Sequence, residues 1–549
     1  LHSGFHARFC HEKKTNTRTS MSNLIVPSAV STPEMDRRSF LVKGSALAGF
    51  GLASGIGLAA TTSATDEADL IIWDSTPAGL TAAVAAARAG LSVIIVTEDK
   101  HLGGLQTSGL GFTNAGQSAT IGGITREFHE RVLKYYVGKY GAESPQATAS
   151  LNGFRFEPHV AEEIWEAWLR EAGVGCARQE VIQSADKTGA RITALRTVSG
   201  RSFRGKVFMD ASYEGDLLAL AHCTFHLGRE SRAQYGESLA GATYPPEKAG
   251  EGDRKLQPFD YRCCLTDMAE NRVPFTEPPD FRPSNYGWHL AKMKRIGAKH
   301  FHAALPLNRM PNSKTDSRTA EWPGHSWDYI AAGRERRAEI ERAHRNHSAG
   351  YLWFLMSDPA VPQPVREEAA LWGLARDEFT DNGNWPWHIY VREGRRLVGE
   401  FVLSQRDCVA GRFKPDGVGV CSWYMDVHPV ELFQEGGVFH ADGEINLSVQ
   451  PFEIPWRSLL PRAAEAENLL VPVALSSSHV AFSSIRVEPV WMILGQSCGV
   501  GAALSLSEGT PLHKLPADKL RALLEKQGQV VDARPFNDFW PKKPAVQVK

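Results

Sequence analysis

No CxxC pair occurs among the eight cysteines, which stand at 10, 176, 223, 263, 264, 408, 421 and 498. They are too few and too scattered for a disulfide scaffold. Thiolate ligand sets for zinc or iron–sulfur clusters lack their usual spacing, so no metal site is expected. The vicinal pair Cys263–Cys264 reads as incidental. A charge excess of one sign is also lacking: 61 basic side chains face 62 acidic ones. That balance removes any general pull toward nucleic acid or an anionic membrane. Past the N-terminal region no segment offers about 18 continuous apolar residues, so a stable membrane span is not expected in the mature chain. No repeat with a period of about 20 to 50 residues is present. What remains is an ordinary globular composition, 42% hydrophobic and 22% charged over 549 residues. It is enough for more than one folding unit around a large core.

Residues 1–34 are polar and without period, and read as a disordered or upstream extension, with Met21 and Met35 both available as starts. The run Asp36-Arg37-Arg38-Ser39-Phe40-Leu41-Val42-Lys43 resembles a twin-arginine export signal. An apolar Gly/Ala-rich stretch follows at 44–60, and Thr62-Ser63-Ala64 supplies small residues for cleavage. The stretch is short and glycine-rich for a spanning helix. Residues 35–64 are therefore expected to be a cleaved signal read by the twin-arginine export machinery, and the mature protein to be periplasmic or extracellular.

Residues 69–73 (DLIIW) form a short apolar run that predicts a buried parallel strand. A turn at 74–79 leads into an alanine-rich helix over 80–89, which Gly90 ends. A second buried strand follows at 92–97 (SVIIVT), with Glu98 at its carboxyl end. The pattern is a βαβ unit of about 30 residues with an acid about 20 positions past the turn, as a dinucleotide fold requires. In that reading the helix N-terminus faces a pyrophosphate and Glu98 binds a ribose. The glycine fingerprint is incomplete. Asp74 takes the first glycine's place, Thr76 the second's, and only Gly79 remains. A carboxylate beside a diphosphate is repulsive, so Asp74 is expected to cap the helix or to turn away. Taken alone, the segment also fits a structural βαβ unit of another doubly wound protein.

Further along the chain come His101-Leu102-Gly103-Gly104, the strand 206–212 with Tyr213-Glu214-Gly215-Asp216 after it, and a helix opened by Val487-Glu488-Pro489. Together with Thr76–Gly79 and the motifs at 228–241, 390–396 and 478–499, they resemble FAD-dependent oxidoreductases of the glutathione-reductase-like fold. The resemblance runs over about 69–530, in one order. Asp74, Leu105 and Gly394 depart from the family pattern. The resemblance implies an α/β fold: a discontinuous Rossmann-like FAD-binding domain (66–225 and 455–530) with an inserted α+β substrate domain (226–454) and a surface tail (531–549). It implies FAD with its pyrophosphate over Ser75, Thr76, Pro77, Ala78 and Gly79. Adenosine would lie near Glu98 and Val181, and the ring near Gly103, Gly104 and the helix start Pro489–Met492. Asp210, in the DASYEGD motif, joins the expected cofactor-binding set.

A flavin that accepts hydride gains negative charge near its pyrimidine edge, which a helix N-terminus stabilises. The substrate side needs a group that removes a proton. His479 is the candidate base, its alternative being a histidine held by backbone in a tight turn. Arg486 is the candidate anchor for a carboxylate or hydroxyl, or a salt-bridge partner of Glu488 or of another buried acid. Arg392, Arg396 and Glu400 have the spacing of a helical ion-pair ladder, with one arginine facing the pocket. Arg229 and Tyr235 match a family motif and are candidates to line the substrate cleft. Residues 329–347 read as a charged helix with a solvated face and a Glu341–Arg345 pair. The expected activity is oxidation of a small polar molecule (alcohol, amine or sugar derivative), with an unidentified electron acceptor. Two alternatives are an electron-transfer subunit of the heterodisulfide-reductase type, for which the cysteines lack spacing, and a non-catalytic protein on a decayed flavin fold, with Asp74 as the lesion.

Overall fold

The computed structural model describes residues 65–536. The extension, the twin-arginine segment and the chain after 536 lie outside the described residues.

The central sheet is built from β1 (Thr65–Trp73), β2 (Val93–Val96), β3 (Gly175–Ala177), β4 (Ile182–Thr188), β5 (Arg191–Thr197) and β6 (Ser202–Asp210). Its order is β3-β2-β1-β6-β5-β4, and the short strand Leu469–Leu470 also pairs with β6. β1 runs parallel to β2 and to β6, in register Ile72↔Ile95 and Ile72↔Met209. β4 and β5 turn back antiparallel. Leu70, Ile71, Ile72 and Trp73 are all buried, because a central parallel strand is covered on both faces. The expected βαβ unit is present: helix α1 (Pro77–Arg88) joins β1 to β2.

Helix Glu488–Glu508 lies against α1 at backbone distance. A Cβ added at Gly495 would sit 2.2 Å from the Ala78 carbonyl oxygen, and one at Gly499 2.4 Å from that of Ala82. Thr81 Oγ1 donates to the Met492 carbonyl at 2.9 Å. This packing brings two helix starts from opposite ends of the sequence together. Helix 488–508 has the length and apolar content to cross a bilayer, yet it is largely buried within the fold, as a core helix is.

A second sheet is antiparallel, in the order Asn308–Arg309, Lys314–Arg318, Arg262–Thr266, Gly373–Ala375, Arg272–Pro274. One apolar cluster runs from Leu70 and α1 through Leu265 to Tyr351 and Leu355, so both sheets share a core. Cys263 belongs to that cluster and Cys264 to a separate one with Met310 and Phe379. The vicinal cysteines are free and point to opposite faces of their strand.

Two helical expectations need correction. The charged helix is Arg334–Ser357; Tyr329 precedes it. Glu341 bonds the Tyr329 hydroxyl at 2.7 Å, and Arg345 reaches Asn382, not Glu341. The segment 390–400 is not helical: it is irregular apart from Arg396–Leu397, which pairs with Phe225–His226. Arg396 instead meets Glu393, Glu230 and the Gly228 carbonyl in a buried network. Spacing at i,i+4 carries information only if the backbone is helical, and a buried arginine finds acids across the chain as readily as along it.

Candidate functional site

At the carboxyl ends of β1, β2 and β6 a cleft opens, formed by two adjoining cavities of about 220 and 460 Å³. Its floor is the β1–α1 turn. Ser75, Thr76, Pro77, Ala78 and Gly79 are buried there. Thr76 is the N-cap, but its hydroxyl donates to the Ala211 carbonyl at 2.7 Å and does not cap the helix. The first-turn N–H groups of α1 therefore lack a side-chain acceptor, which is the arrangement that receives an anion. Asp74 stands at φ +78°, a conformation that favours glycine. It neither caps α1 nor turns away: its carboxylate accepts the Ser75 N–H at 2.6 Å and the Thr97 hydroxyl at 3.2 Å. Burial, then Asp99 and Glu214, hold its carboxyl well above the usual range.

Glu98 lines both cavities and pairs with Arg334 at 3.0 Å. Gly103 and Gly104 both have positive φ, and a Cβ on Gly104 would meet the Tyr213 hydroxyl at 2.5 Å. Gly103 N–H donates to the Ser75 carbonyl, tying the two loops together. Trp73 lines the same cleft, and its buried Nε1 has no partner among the described residues. The Val181 carbonyl is engaged by Val198 N–H, whereas Gln179 lines the larger cavity. Asp210 is buried under the cleft. It accepts from Ser212 and Leu218, and burial pushes its carboxyl up to about 6.

Several lining residues were missed from the sequence. Ser212, Tyr213 and Glu214 come from the loop that Asp210 holds, and Arg337 and Glu341 from the helix taken as a solvated face. Arg337 grips Asp216 with two hydrogen bonds, at 2.7 and 2.8 Å. The signal for the loop was the DASYEGD motif. The helix gave none, because its cavity-facing charges look like any exposed charged face.

Beyond the glycine loop, a tight cleft is lined by Gln106, Asn114, Tyr390, Arg486, Glu488 and Trp491. Helix 488–508 begins here with Pro489 in its first turn and no side-chain cap. Met492 lies one turn in; its sulfur accepts from Gln106 Nε2 and its carbonyl from Thr81. Among the described residues, four buried polar atoms on the residues of this cleft lack partners: Thr113 Oγ1, Arg486 Nε, Glu488 Oε2 and Trp491 Nε1. Arg486 bonds the Asp426 carbonyl at 2.5 Å, not Glu488. Glu488 Oε1 accepts the Tyr213 hydroxyl at 2.6 Å, and burial pushes its carboxyl up to about 8.

The remaining expected residues do not line this cleft. His479 begins the helix His479–Ile485, about 10 Å in length from Arg486 at 1.5 Å per residue. Its Nδ1 lies 2.8 Å from Glu393 Oε1 and its Nε2 has no partner. Burial would raise Glu393, but His479 and Arg396 outweigh it and hold that carboxyl at about 2. Arg229 is buried between Asp253 and Asp442. Tyr235 bonds His226. Arg392 is bound to Asp260, Glu321 and the Pro258 carbonyl, with its guanidinium 4.6 Å from the Tyr390 ring. It thus stands behind the tyrosine that lines the cleft.

The sequence profile of the family described as "FAD dependent oxidoreductase" matches residues 69–524. Among curated proteins no sequence matches the chain. Solved structures overlap only in part. A flavin-containing monooxygenase from Stenotrophomonas maltophilia is 15% identical, over 26% of this chain and 38% of that one, with a TM-score of 0.19. A thioredoxin reductase from Streptococcus pyogenes MGAS5005 is 22% identical over 26% and 34%, with a TM-score of 0.16. An L-amino acid deaminase from Proteus vulgaris is 12% identical over 31% and 54%, with a TM-score of 0.22. The chain spans about a third to a half of the length of these structures, so they add nothing to the argument beyond that overlap. The residues present fit the cofactor of the matched family. An uncapped helix start, the positive-φ Gly104, and Trp73, whose Nε1 lacks a partner among the described residues, all border one cleft.

Proposed function

Because the chain belongs to the FAD-dependent oxidoreductases and takes FAD as its cofactor, we propose that it oxidises a small polar substrate by hydride transfer at the cleft beside Glu488. The observation that carries this reading is the set of unpaired buried atoms, Thr113 Oγ1, Arg486 Nε, Glu488 Oε2 and Trp491 Nε1, on residues of one cleft. Buried polar groups without partners are rare in native proteins, and four at one place fit a ligand with acceptor and donor groups of its own. Bound FAD supplies a two-electron acceptor.

The chain's residues do the rest. The first turn of α1 and the Gly103–Gly104 loop hold the dinucleotide, and Glu98 receives its ribose hydroxyls. The start of helix 488–508 directs backbone N–H groups at developing negative charge. Tyr390 and Arg486 orient the substrate. Arg392, stacked on Tyr390, keeps that ring in place. Asn114 and Gln106 offer neutral hydrogen-bonding groups, which suits hydroxyl or amine substrates better than a second charge. His479 retains one unpaired ring nitrogen, with Glu393 fixing the other, so it remains the candidate proton acceptor for a substrate or water that reaches it. Export by the twin-arginine route, which the 35–64 segment supports, would place this chemistry in the periplasm or outside the cell, with an electron acceptor there.

The test is anaerobic mixing of the purified yellow protein with panels of polyols, sugars, amines and amino acids. Loss of visible flavin absorbance with one class, weakened in Arg486→Ala, supports the reading. FAD that stays oxidised with every class, or is bleached equally by Arg486→Ala, contradicts it.

A further inference from the structure

The buried acid at the start of helix 488–508 has a use that substrate binding leaves unexplained. Glu488 is 4% exposed, its Oε1 is held by the Tyr213 hydroxyl, and its Oε2 faces the cleft unpaired. The Tyr213 oxygen in turn accepts the Leu105 N–H at 3.0 Å. The tyrosine's proton is thus directed to Glu488 while its lone pair secures the glycine loop. Among the described residues no cationic side chain pairs with Glu488. Arg486, two residues before it, is bound to Asp426. Tyr390 sits between Arg486 and the guanidinium groups of Arg262 and Arg392. Asp74, from the β1–α1 turn, adds only negative charge acting on Tyr213. An ionised carboxylate here would be buried with one hydrogen bond and no side-chain counter-charge, set only against the partial charge of the helix start, a costly state.

We propose that Glu488 is a protonated acid that donates from Oε2 to the pyrimidine edge of FAD, and that it couples proton uptake to reduction of the ring. The proposal rests on the reading above, which seats the ring at this cleft. The balance is simple. The substrate gives hydride to the ring and loses a proton to a base. Where Glu488 is ionised in the oxidised enzyme, the new negative charge on the ring raises its proton affinity, and it takes one proton from solvent. Where it is already protonated, it takes none and only donates.

The experiment is a redox titration of the FAD-loaded protein with a reference dye from about pH 6 to about pH 10, with flavin content measured first. The account expects the wild-type potential to steepen above about pH 8, where burial has pushed the Glu488 carboxyl. One additional proton per two electrons is an additional tenfold per pH unit in the reduction equilibrium, about 30 mV per unit. Glu488→Gln keeps the shape and loses the break. Tyr213→Phe removes the hydroxyl that favours the ionised form and moves the break to higher pH, so it serves if Glu488→Gln does not fold. Equal slopes in wild type and Glu488→Gln, or an unmoved break in Tyr213→Phe, overturn the proposal. A folded protein that binds no FAD overturns the reading beneath it instead.

Discussion

Two packed helices open on two clefts, and their starts treat their acids differently. Both α1 and helix 488–508 carry proline in the first turn and lack a side-chain cap. Each has an acid at its entrance whose ionisation is opposed by burial. Asp74 is half-buried, takes the Ser75 N–H, and stands among Asp99 and Glu214. Glu488 is buried with Tyr213 alone and keeps a free oxygen. The first acid competes with an anionic ligand for backbone donors; the second presents a donor of its own. A helix N-terminus favours negative charge, so the same backbone device can hold a diphosphate at one start and stabilise a reduced ring at the other.

The comparison breaks most completely if the two starts are pushed apart. Gly495→Val puts side-chain atoms where the Ala78 carbonyl and Thr81 hydroxyl now lie. Overpacking of this kind costs about 1 to 3 kcal/mol, and we expect a lower melting temperature with loss of bound FAD on gel filtration. Normal FAD retention would show that the starts need not touch. Next in size is Asp74→Asn, which keeps an acceptor for Ser75 N–H and removes the charge. FAD should bind about tenfold tighter above neutral pH, the equivalent of one pKa unit, with the gap closing in acid, where wild-type Asp74 holds its proton. Equal affinity across pH would mean that the carboxylate does not face the diphosphate.

A smaller effect follows from the raised acids in the apoprotein. Burial pushes Glu488 and Glu214 up to about 8, whereas both ionise near the ordinary carboxyl value when unfolded. Between those values the folded chain binds more protons, so stability falls as pH rises, and the contribution present in acid is lost through about pH 8. Glu488→Gln should flatten the fall in urea midpoint between about pH 5 and about pH 8; an unchanged profile would show Glu488 to be ionised throughout. The smallest change is expected for Arg334→Ala, which removes a largely exposed partner of Glu98. Its stability should stay within about 1 kcal/mol of wild type, and a larger loss would mark that ion pair as structural.

Much of the first βαβ unit was legible because buried strands, small helix residues and a stop glycine leave strong local signals. The proximity of residues 78 and 495 was legible only as glycines in a helix, a pattern that says something comes close without saying what. Asp74 was read correctly as an anomaly and wrongly as to its bonds, since a left-handed backbone lets its carboxylate bond the adjacent Ser75 N–H. The Arg392–Glu400 ladder failed because spacing cannot reveal that the backbone is not helical. Glu341 was read as the partner of Arg345 and Arg337 as part of a solvated face, because a charge facing a cavity and one facing bulk water share the same sequence pattern. Glu488 was named only as a possible partner of Arg486; its burial and its bond to Tyr213, 275 positions away, have no local trace.

The most direct test of the account is a crystal structure of the FAD-loaded protein. The account predicts one dinucleotide per chain, its diphosphate on the α1 start, its ribose at Glu98 and its ring within hydrogen-bond reach of Glu488 Oε2. A ring seated away from helix 488–508, or a diphosphate bound elsewhere than the 75–79 turn, would contradict it.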